Sequence, residues 1–208
     1  MTLPLKKGLL LSLLVVVLFL GIAGKAIYGN GKGPNTVNRD KKVNTVSSSI
    51  DNSKAMIQDK EDKVKQNPGD ANLCLELGNQ YYDLAPELRS SNPEEAVLDF
   101  NKAVGHYQEY LKTKNDLSVW IDLATAAYYG KDDATAEAAF QKAIQIDTKD
   151  YRAHYKYGVF LFHSKEDYKG AVQELKTALA LNPSSQDAEQ IKRLISGLET
   201  EIVAGQGK

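Results

Sequence analysis

Three histidines and one cysteine are the residues of this sequence that would most readily do chemistry. His106, His154 and His163 lie too far apart to form the i, i+4 pair of a helical metal site, and the lone Cys74 cannot form an intramolecular disulfide. The sequence has no phosphate-binding Walker loop and no Gly-X-Ser-X-Gly elbow for a nucleophilic serine. We therefore expect no enzymatic activity, no cofactor and no metal.

Charge is divided unevenly along the chain. Residues 1–44 contain seven Lys or Arg and one acid, whereas the remainder contains 19 basic and 26 acidic residues, a net charge of −7. Nucleic-acid affinity depends largely on the neutralisation of phosphates by Lys and Arg. The acidic remainder therefore argues against a nucleic-acid partner.

The repeating unit of the sequence is a pair of helices, and residues 117–150 contain its clearest copy. Apolar and small residues recur at helical spacing on both sides of a polar turn at 130–133, which predicts two helices packed as a hairpin. On the first helix these residues are Trp120, Leu123 and Ala124, and on the second they are Ala136, Phe140 and Ala143.

Two more copies flank this hairpin. The first contains Leu77, Gly78, Tyr81, Ala96, Phe100 and Ala103, and the last contains Tyr157, Gly158, Ala171, Leu175, Ala178 and Pro183. The pattern resembles the tetratricopeptide repeat (TPR), in which Trp or Leu precedes Leu-Gly on the first helix and Ala, an aromatic residue and Ala follow on the second. The alanines would let the two helices of a hairpin approach closely.

The TPR resemblance implies an all-α fold, a helical hairpin array of about three repeats plus a capping helix. The apolar run near the start of the chain, described below, would place this array behind an N-terminal transmembrane helix. The first repeat is longer than the others because it carries an insertion at 84–92. The expected segments are a membrane anchor at 1–28, a flexible linker at 29–49, a capping helix at 50–66, a TPR domain at 67–199 and a disordered tail at 200–208. Within the TPR domain, the repeats are expected at about 71–112, 117–150 and 151–184, followed by a second capping helix at 187–199.

The apolar run at residues 8–24 predicts a membrane segment. It contains no charged residue and follows Lys6 and Lys7, so we interpret residues 1–28 as an uncleaved signal-anchor. The alternative is a cleaved signal peptide, because Gly21 and Ala23 are small residues at the positions that signal peptidase reads. The anchor predicts a single-pass protein of the cell membrane with its repeat domain outside the cytoplasm.

The TPR resemblance also implies a binding surface, the concave face formed by the first helices of successive repeats. Aromatic residues and Arg dominate the binding energy of many interfaces, so such a groove suits an extended or helical peptide. For Tyr128 and Phe162, packing against the next repeat is the alternative. The expected groove residues are Asn79, Tyr82, Ile121, Thr125, Tyr128, Arg152, Tyr155, Lys156, Val159 and Phe162.

Some TPR proteins hold the terminal carboxylate of a partner with a clamp of Lys, Asn and Arg. Asn79, Arg152 and Lys156 match clamp positions in this sequence. Leu75 and Thr125 stand where the clamp would have Lys and Asn, so the clamp is incomplete.

These features predict a membrane-tethered scaffold whose partners are another protein or peptide segment and, through the anchor, the membrane. The chain resembles small bacterial membrane proteins with TPRs, some of which assist protein export, envelope assembly or cytochrome c maturation. The alternative is a cleaved, secreted or envelope structural protein that forms a homo-oligomer. Tyr107, Tyr110 and Leu111, beyond the usual end of the repeat, would supply its contact surface.

Overall fold

The computed structural model describes residues 37–205, with side chains from residue 48 onward. This part of the chain forms α-helices joined by short turns. The helices are α1 Val37–Gln66, α2 Ala71–Leu88, α3 Pro93–Leu111, α4 Leu117–Tyr129, α5 Asp133–Ile146, α6 Tyr151–Ser164, α7 Tyr168–Leu181 and α8 Ala188–Val203.

Consecutive helices pair into three hairpins. Helix α2 packs on α3, α4 on α5, and α6 on α7, while α8 packs on α7 after the last hairpin. Neighbouring hairpins contact each other through α3 and α4 and through α5 and α6, and the first helices α4 and α6 also touch. The prediction of an all-α array of helical hairpins is confirmed.

Side-chain caps define where the six hairpin helices begin. Asp70, Asp116 and Asp150 precede the first helices, and each carboxylate accepts hydrogen bonds from two backbone amides of its helix. The second helices begin at Asn92, Asp132 and Asp167, each of which accepts from one amide. Such a cap contributes about 1 kcal/mol. The caps keep the register of both helices in every hairpin.

Small residues allow the two helices of each hairpin to approach closely. Ala96, Ala136 and Ala171 are at most 1% exposed, as the repeat pattern predicts. At Gly158 the approach is closer still, because a Cβ atom there would lie 2.9 Å from Leu175 Cγ of the paired helix. The hairpins therefore have no room for larger side chains at these positions.

The insertion predicted at 84–92 extends α2 by about a turn and then forms the turn to α3. Leu84, Ala85 and Leu88 are buried, and the Arg89 guanidinium lies 4.7 Å from the centre of the Tyr129 ring in the next hairpin. The insertion is thus packed into the array.

The long helix α3 buries the residues that the sequence offered as a surface for self-association. Tyr107 is 1% exposed and Tyr110 is 8% exposed within the single chain. Tyr107 lies against Gly78 and Asn79 of α2, and burial of both rings within the single chain leaves little of either for a second copy. Leu111, the third residue of that predicted surface, is half-buried. The expectation that Tyr107 and Tyr110 supply a contact surface was wrong, because their rings pack within the chain, and self-association itself stays a prediction.

Helix α1 begins at Val37, whereas the sequence pattern placed a helix start near residue 50 and a linker before it. Its later turns contact the first hairpin, and Ile57 in these turns is 5% exposed. Polar contacts add to this: the Tyr81 hydroxyl donates to Glu61 Oε1 at 2.5 Å, and Lys54 pairs with Glu95 of α3 at 2.6 Å. The domain limits given above stay predictions.

The predicted membrane anchor at 1–28 lies outside the described residues. Among the helices of residues 37–205, none is both long enough and apolar enough to cross a membrane. The longest, α1, carries the charged run 59–65, and the hairpin helices have 13 to 19 residues where a span needs about 20 apolar ones. The predicted localisation, a single-pass protein of the cell membrane, is contradicted by this finding and is corrected here.

Candidate functional site

The inner face is the surface lined by the first helices α2, α4 and α6, and side chains from all three meet at Thr125 of α4. The Thr125 hydroxyl donates to the Ile121 carbonyl oxygen at 2.7 Å. It accepts a hydrogen bond from Lys156 Nζ of α6 at 3.3 Å. The side chain of Tyr82 on α2 also interacts with Thr125, and this interaction opposes the rise that burial causes in the Tyr82 pKa.

Tyr107 joins the first of these helices to the aromatic core. Its hydroxyl donates to Asn79 Oδ1 at 3.0 Å, which fixes the amide on the surface of α2. The Tyr82 ring lies 6.3 Å from the Tyr107 ring and 6.0 Å, edge-on, from Phe100. Asn79, Tyr82, Thr125 and Lys156 thus belong to one connected strip that crosses the inner face.

Burial divides the ten predicted site residues into a floor and an accessible part. Thr125, Tyr155 and Val159 are between 3% and 8% exposed and form the floor, whereas Ile121, 3% exposed, packs in the core with Ala143 of α5 and Ala153 of α6. Asn79 and Arg152 are exposed, and the remaining members are half-buried: Tyr82, Tyr128, Lys156 and Phe162. Contacts with a ligand would therefore come from six side chains resting on a rigid floor.

Two of the predicted aromatic residues also pack within the array. The Tyr128 ring lies 4.7 Å from the Tyr129 ring and 6.0 Å, edge-on, from Phe160 of the next hairpin. Phe162 contacts Tyr168 at the start of α7, with 5.8 Å between ring centroids. Each of the two rings keeps only part of its surface for a ligand.

Two carboxylates of the inner face, Asp83 and Asp122, are not among the residues predicted from the sequence. Burial raises the pKa of both, and the charges of Lys156 and Arg152 partly oppose the shift at Asp122. Burial likewise lowers the pKa of Lys156, and the charge of Asp122 opposes that shift. Asp122 lies two residues before Ala124, the small residue of its repeat, and Lys156 lies two residues before Gly158 in the next repeat. Because the two residues occupy the same repeat position, the prediction of Lys156 as a site residue could have pointed to Asp122 as well.

Arg152, the exposed cation of the predicted site, is held by its own helix terminus. Its guanidinium donates from Nε to both oxygens of Asp150 at 3.1 Å and from Nη2 to Asp150 Oδ2 at 2.6 Å. Burial acts to raise the pKa of Asp150, but the hydrogen bonds and charge of Arg152 lower it below the usual value. This bidentate pair leaves Arg152 poorly placed to capture the carboxylate of a partner.

The histidines and the cysteine lie apart and have structural surroundings. His154 bridges Glu174 Oε2 of α7, at 2.7 Å, and the Thr148 carbonyl oxygen, at 3.1 Å. Burial raises the pKa of the Cys74 thiol, which makes it a weak nucleophile. Within residues 37–205, no group of three or more His, Cys, Asp or Glu side chains is arranged to hold a metal ion.

Comparison with known proteins bears on the fold. The chain matches no protein-family model and no curated protein sequence. It is similar to a crystal structure of MamA at 18% identity, with a TM-score of 0.54, covering 84% of this chain and 92% of that chain. The Arabidopsis OM64 TPR domain is 24% identical, with a TM-score of 0.43, and the match covers 58% of this chain and 96% of that domain. YrrB, a TPR protein, is 16% identical, with a TM-score of 0.43, and the match covers 71% of this chain and 84% of YrrB. The MamA likeness shows a shared fold, and the prediction of a TPR-type array of helical hairpins is supported at that level.

Proposed function

We propose that this protein is a scaffold that binds a segment of another protein along the inner face of α2, α4 and α6. The observation that carries the proposal is the connected strip of Tyr82, Thr125 and Lys156, which brings polar groups of three separate first helices to one surface. A surface built across three helices matches the length of a peptide segment better than that of a small metabolite.

The physical basis of binding would be a rigid floor under accessible polar and aromatic groups. Because the Tyr82 ring packs against Phe100 and Tyr107 and the Lys156 ammonium group donates to Thr125, little side-chain freedom is lost when a ligand arrives. The exposed amide of Asn79 is held by Tyr107 and can still donate to a peptide carbonyl. Aromatic residues in such a setting commonly contribute about 2 kcal/mol or more each.

Site-directed photo-crosslinking in the cells that make the protein tests this proposal. A benzophenone amino acid is placed at Asn79 on the inner face or, as the matched control, at Lys142, an exposed position on the second helix α5. We expect a discrete crosslinked protein from position 79 and none from position 142. Crosslinks that form equally from both positions, or only from position 142, would overturn the assignment of the inner face.

A further inference from the structure

One isoleucine and one tyrosine anchor α1 on the first hairpin. Of the α1 side chains that the structure describes, from residue 48 to residue 66, Ile57 alone is buried. One turn later, Glu61 accepts a hydrogen bond from the Tyr81 hydroxyl of α2 at 2.5 Å. Each of the six hairpin helices, in contrast, buries at least four residues. Apolar contact therefore holds α1 much less firmly than it holds the hairpins.

Two ion pairs also link α1 to the first hairpin. Lys54 Nζ lies 2.6 Å from a carboxylate oxygen of Glu95 on α3, and Lys60 pairs with Glu76 on α2. The side chains of the first pair are 44% and 31% exposed, and Glu76 in the second is 55% exposed. Salt screens such exposed pairs, because the Debye length falls from about 10 Å at 0.1 M to about 3 Å at 1 M. The attachment of α1 should therefore weaken as ionic strength rises.

The hairpin surface beside α1 contains polar groups that are buried with few partners. Gln80 follows Glu76 by one helical turn on the same side of α2, and its Oε1 atom is buried without a hydrogen-bond partner among residues 37–205. Asp99 follows Glu95 by one turn on α3, is 3% exposed, and has Lys102 Nζ of its own helix at 3.4 Å. Burial raises the pKa of the Asp99 carboxyl. Release of α1 would bring water closer to both groups, which offsets part of the cost of breaking its contacts.

The first hairpin has supports of its own that do not involve α1. The Tyr81 ring stacks on His106 of α3, with 5.9 Å between ring centroids, and Lys102 Nζ lies 4.6 Å from the centre of the Tyr81 ring. Lys102 also donates to the Tyr81 hydroxyl oxygen at 3.4 Å. Asp70 caps the start of α2 by accepting from two backbone amides of that helix. The hairpin should therefore stay folded when α1 leaves.

The turn at residues 67–70 is the hinge on which α1 could move. Two backbone hydrogen bonds hold it, from the Asn67 amide to the Lys63 carbonyl oxygen at 3.0 Å and from the Asp70 amide to the Asn67 carbonyl oxygen at 3.1 Å. Gly69 has no heavy atom within 4 Å of its ideal Cβ, so nothing packs against this side of the turn. Rotation at these residues would swing α1 away without moving α2.

We infer that α1 is an ionic-strength-sensitive strap, which closes on the first hairpin at low salt and leaves it as a unit at high salt while the three hairpins stay folded. The open strap would expose Tyr81 and the face of α2 and α3 around it. This surface is distinct from the inner face, to which α2 contributes Asn79 and Tyr82. The strap thus controls which surface of the first hairpin is accessible.

Hydrogen–deuterium exchange of the full chain at about 50 and about 500 mM NaCl tests the inference. We expect the backbone amides of residues 50–66 to exchange about tenfold faster at the higher salt, because screening weakens the ion pairs that hold α1. The amides of the three hairpins should change by less than about twofold, because apolar packing holds those helices.

A pair of matched variants separates release of the strap from a general effect of salt. Lys54→Ala with Lys60→Ala removes both ion pairs to the hairpin, so residues 50–66 should exchange about tenfold faster already at about 50 mM NaCl. Lys63→Ala with Lys65→Ala removes the same charge from the same helix, but these lysines pair with acids of α1 itself. That control should keep slow exchange at low salt and faster exchange at high salt.

Three outcomes would overturn the strap. The first is exchange of residues 50–66 that is equally slow at both salt concentrations on the unaltered chain, a comparison that needs no variant. The second is equal acceleration in both variants, because the pairs to the hairpin would then have no special part in holding α1. The third is loss of protection in α2 and α3 together with α1, which would mean that the first hairpin opens with it. The inner-face scaffold is tested separately, by crosslinking from position 79.

Discussion

The close approach of α6 to α7 at Gly158 gives a sharp test of the packing of the array. In Gly158→Ala, the new Cβ would lie 2.9 Å from Leu175 Cγ and 3.2 Å from the Ala171 carbonyl oxygen. Leu175 and Ala171 are fully buried, so neither can move aside without disturbing α7. Overpacking of this kind typically costs about 1 to 3 kcal/mol, whereas replacement of Gly by Ala in a helix gains about 1 kcal/mol.

Gly105→Ala is the matched control, because Gly105 lies within α3 and no heavy atom is within 4 Å of its ideal Cβ. That variant should gain stability by up to about 1 kcal/mol from helix propensity alone. The unfolding free energies of the two variants should therefore differ by about 1 to 3 kcal/mol, with Gly158→Ala the less stable. A difference of about 2 kcal/mol corresponds to roughly 4 to 8 °C in Tm for a chain of this size.

Urea denaturation followed by circular dichroism at the helical minimum measures both free energies, and an unchanged slope of free energy against urea would show that the native state is intact. If Gly158→Ala were stabilised as much as Gly105→Ala, the close approach of α6 to α7 would not exist. Small residues would then not be the cause of the hairpin geometry.

Three further predictions concern the core, α1 and pH. Ala136→Arg should cost at least about 3 kcal/mol, because it overpacks a fully buried site and buries a charge, whereas Ala138→Arg, at an exposed position of α5, should change Tm little. Ile57→Asp should release α1 and make it sensitive to brief proteolysis, whereas Met56→Asp, at a position that is 53% exposed, should not. Burial lowers the pKa of both His106 and His163, so their contribution to stability is complete above the ordinary histidine pKa and is lost as pH falls below it. In the double variant His106→Gln, His163→Gln, the free energy of unfolding measured in urea should therefore fall less between about pH 7 and pH 5 than it does in the unaltered protein.

The hairpins could be predicted because short-range patterns determine them. Each of the six hairpin helices starts after a capping Asp or Asn, and each hairpin places a small residue where its two helices meet, as at Ala136 and Gly158. Both signals lie within a few residues of the structure they specify. The three hairpins therefore follow from local chemistry that repeats along the chain.

Features that depend on contacts between distant segments could not be predicted. Tyr107 lies against Gly78 and Asn79 of α2, and no local pattern shows that its ring or that of Tyr110 is buried. The charges that act on the pKa of Asp122 come from separate helices, with Lys156 and Arg152 on α6 and Asp83 on α2, so they combine only in the folded array. The pairing of Arg152 with Asp150 is the exception, because these residues are only two apart and the sequence analysis still treated Arg152 as free.

The pattern of backbone protection on partner binding tests the central claim most directly. Hydrogen–deuterium exchange of the full chain would be measured with and without the protein captured by crosslinking at position 79. The scaffold proposal predicts slower exchange in α2, α4 and α6, strongest around Thr125, and little change in the second helices α3, α5 and α7. Protection confined to the second helices or to α8, with α2, α4 and α6 unchanged, would contradict it.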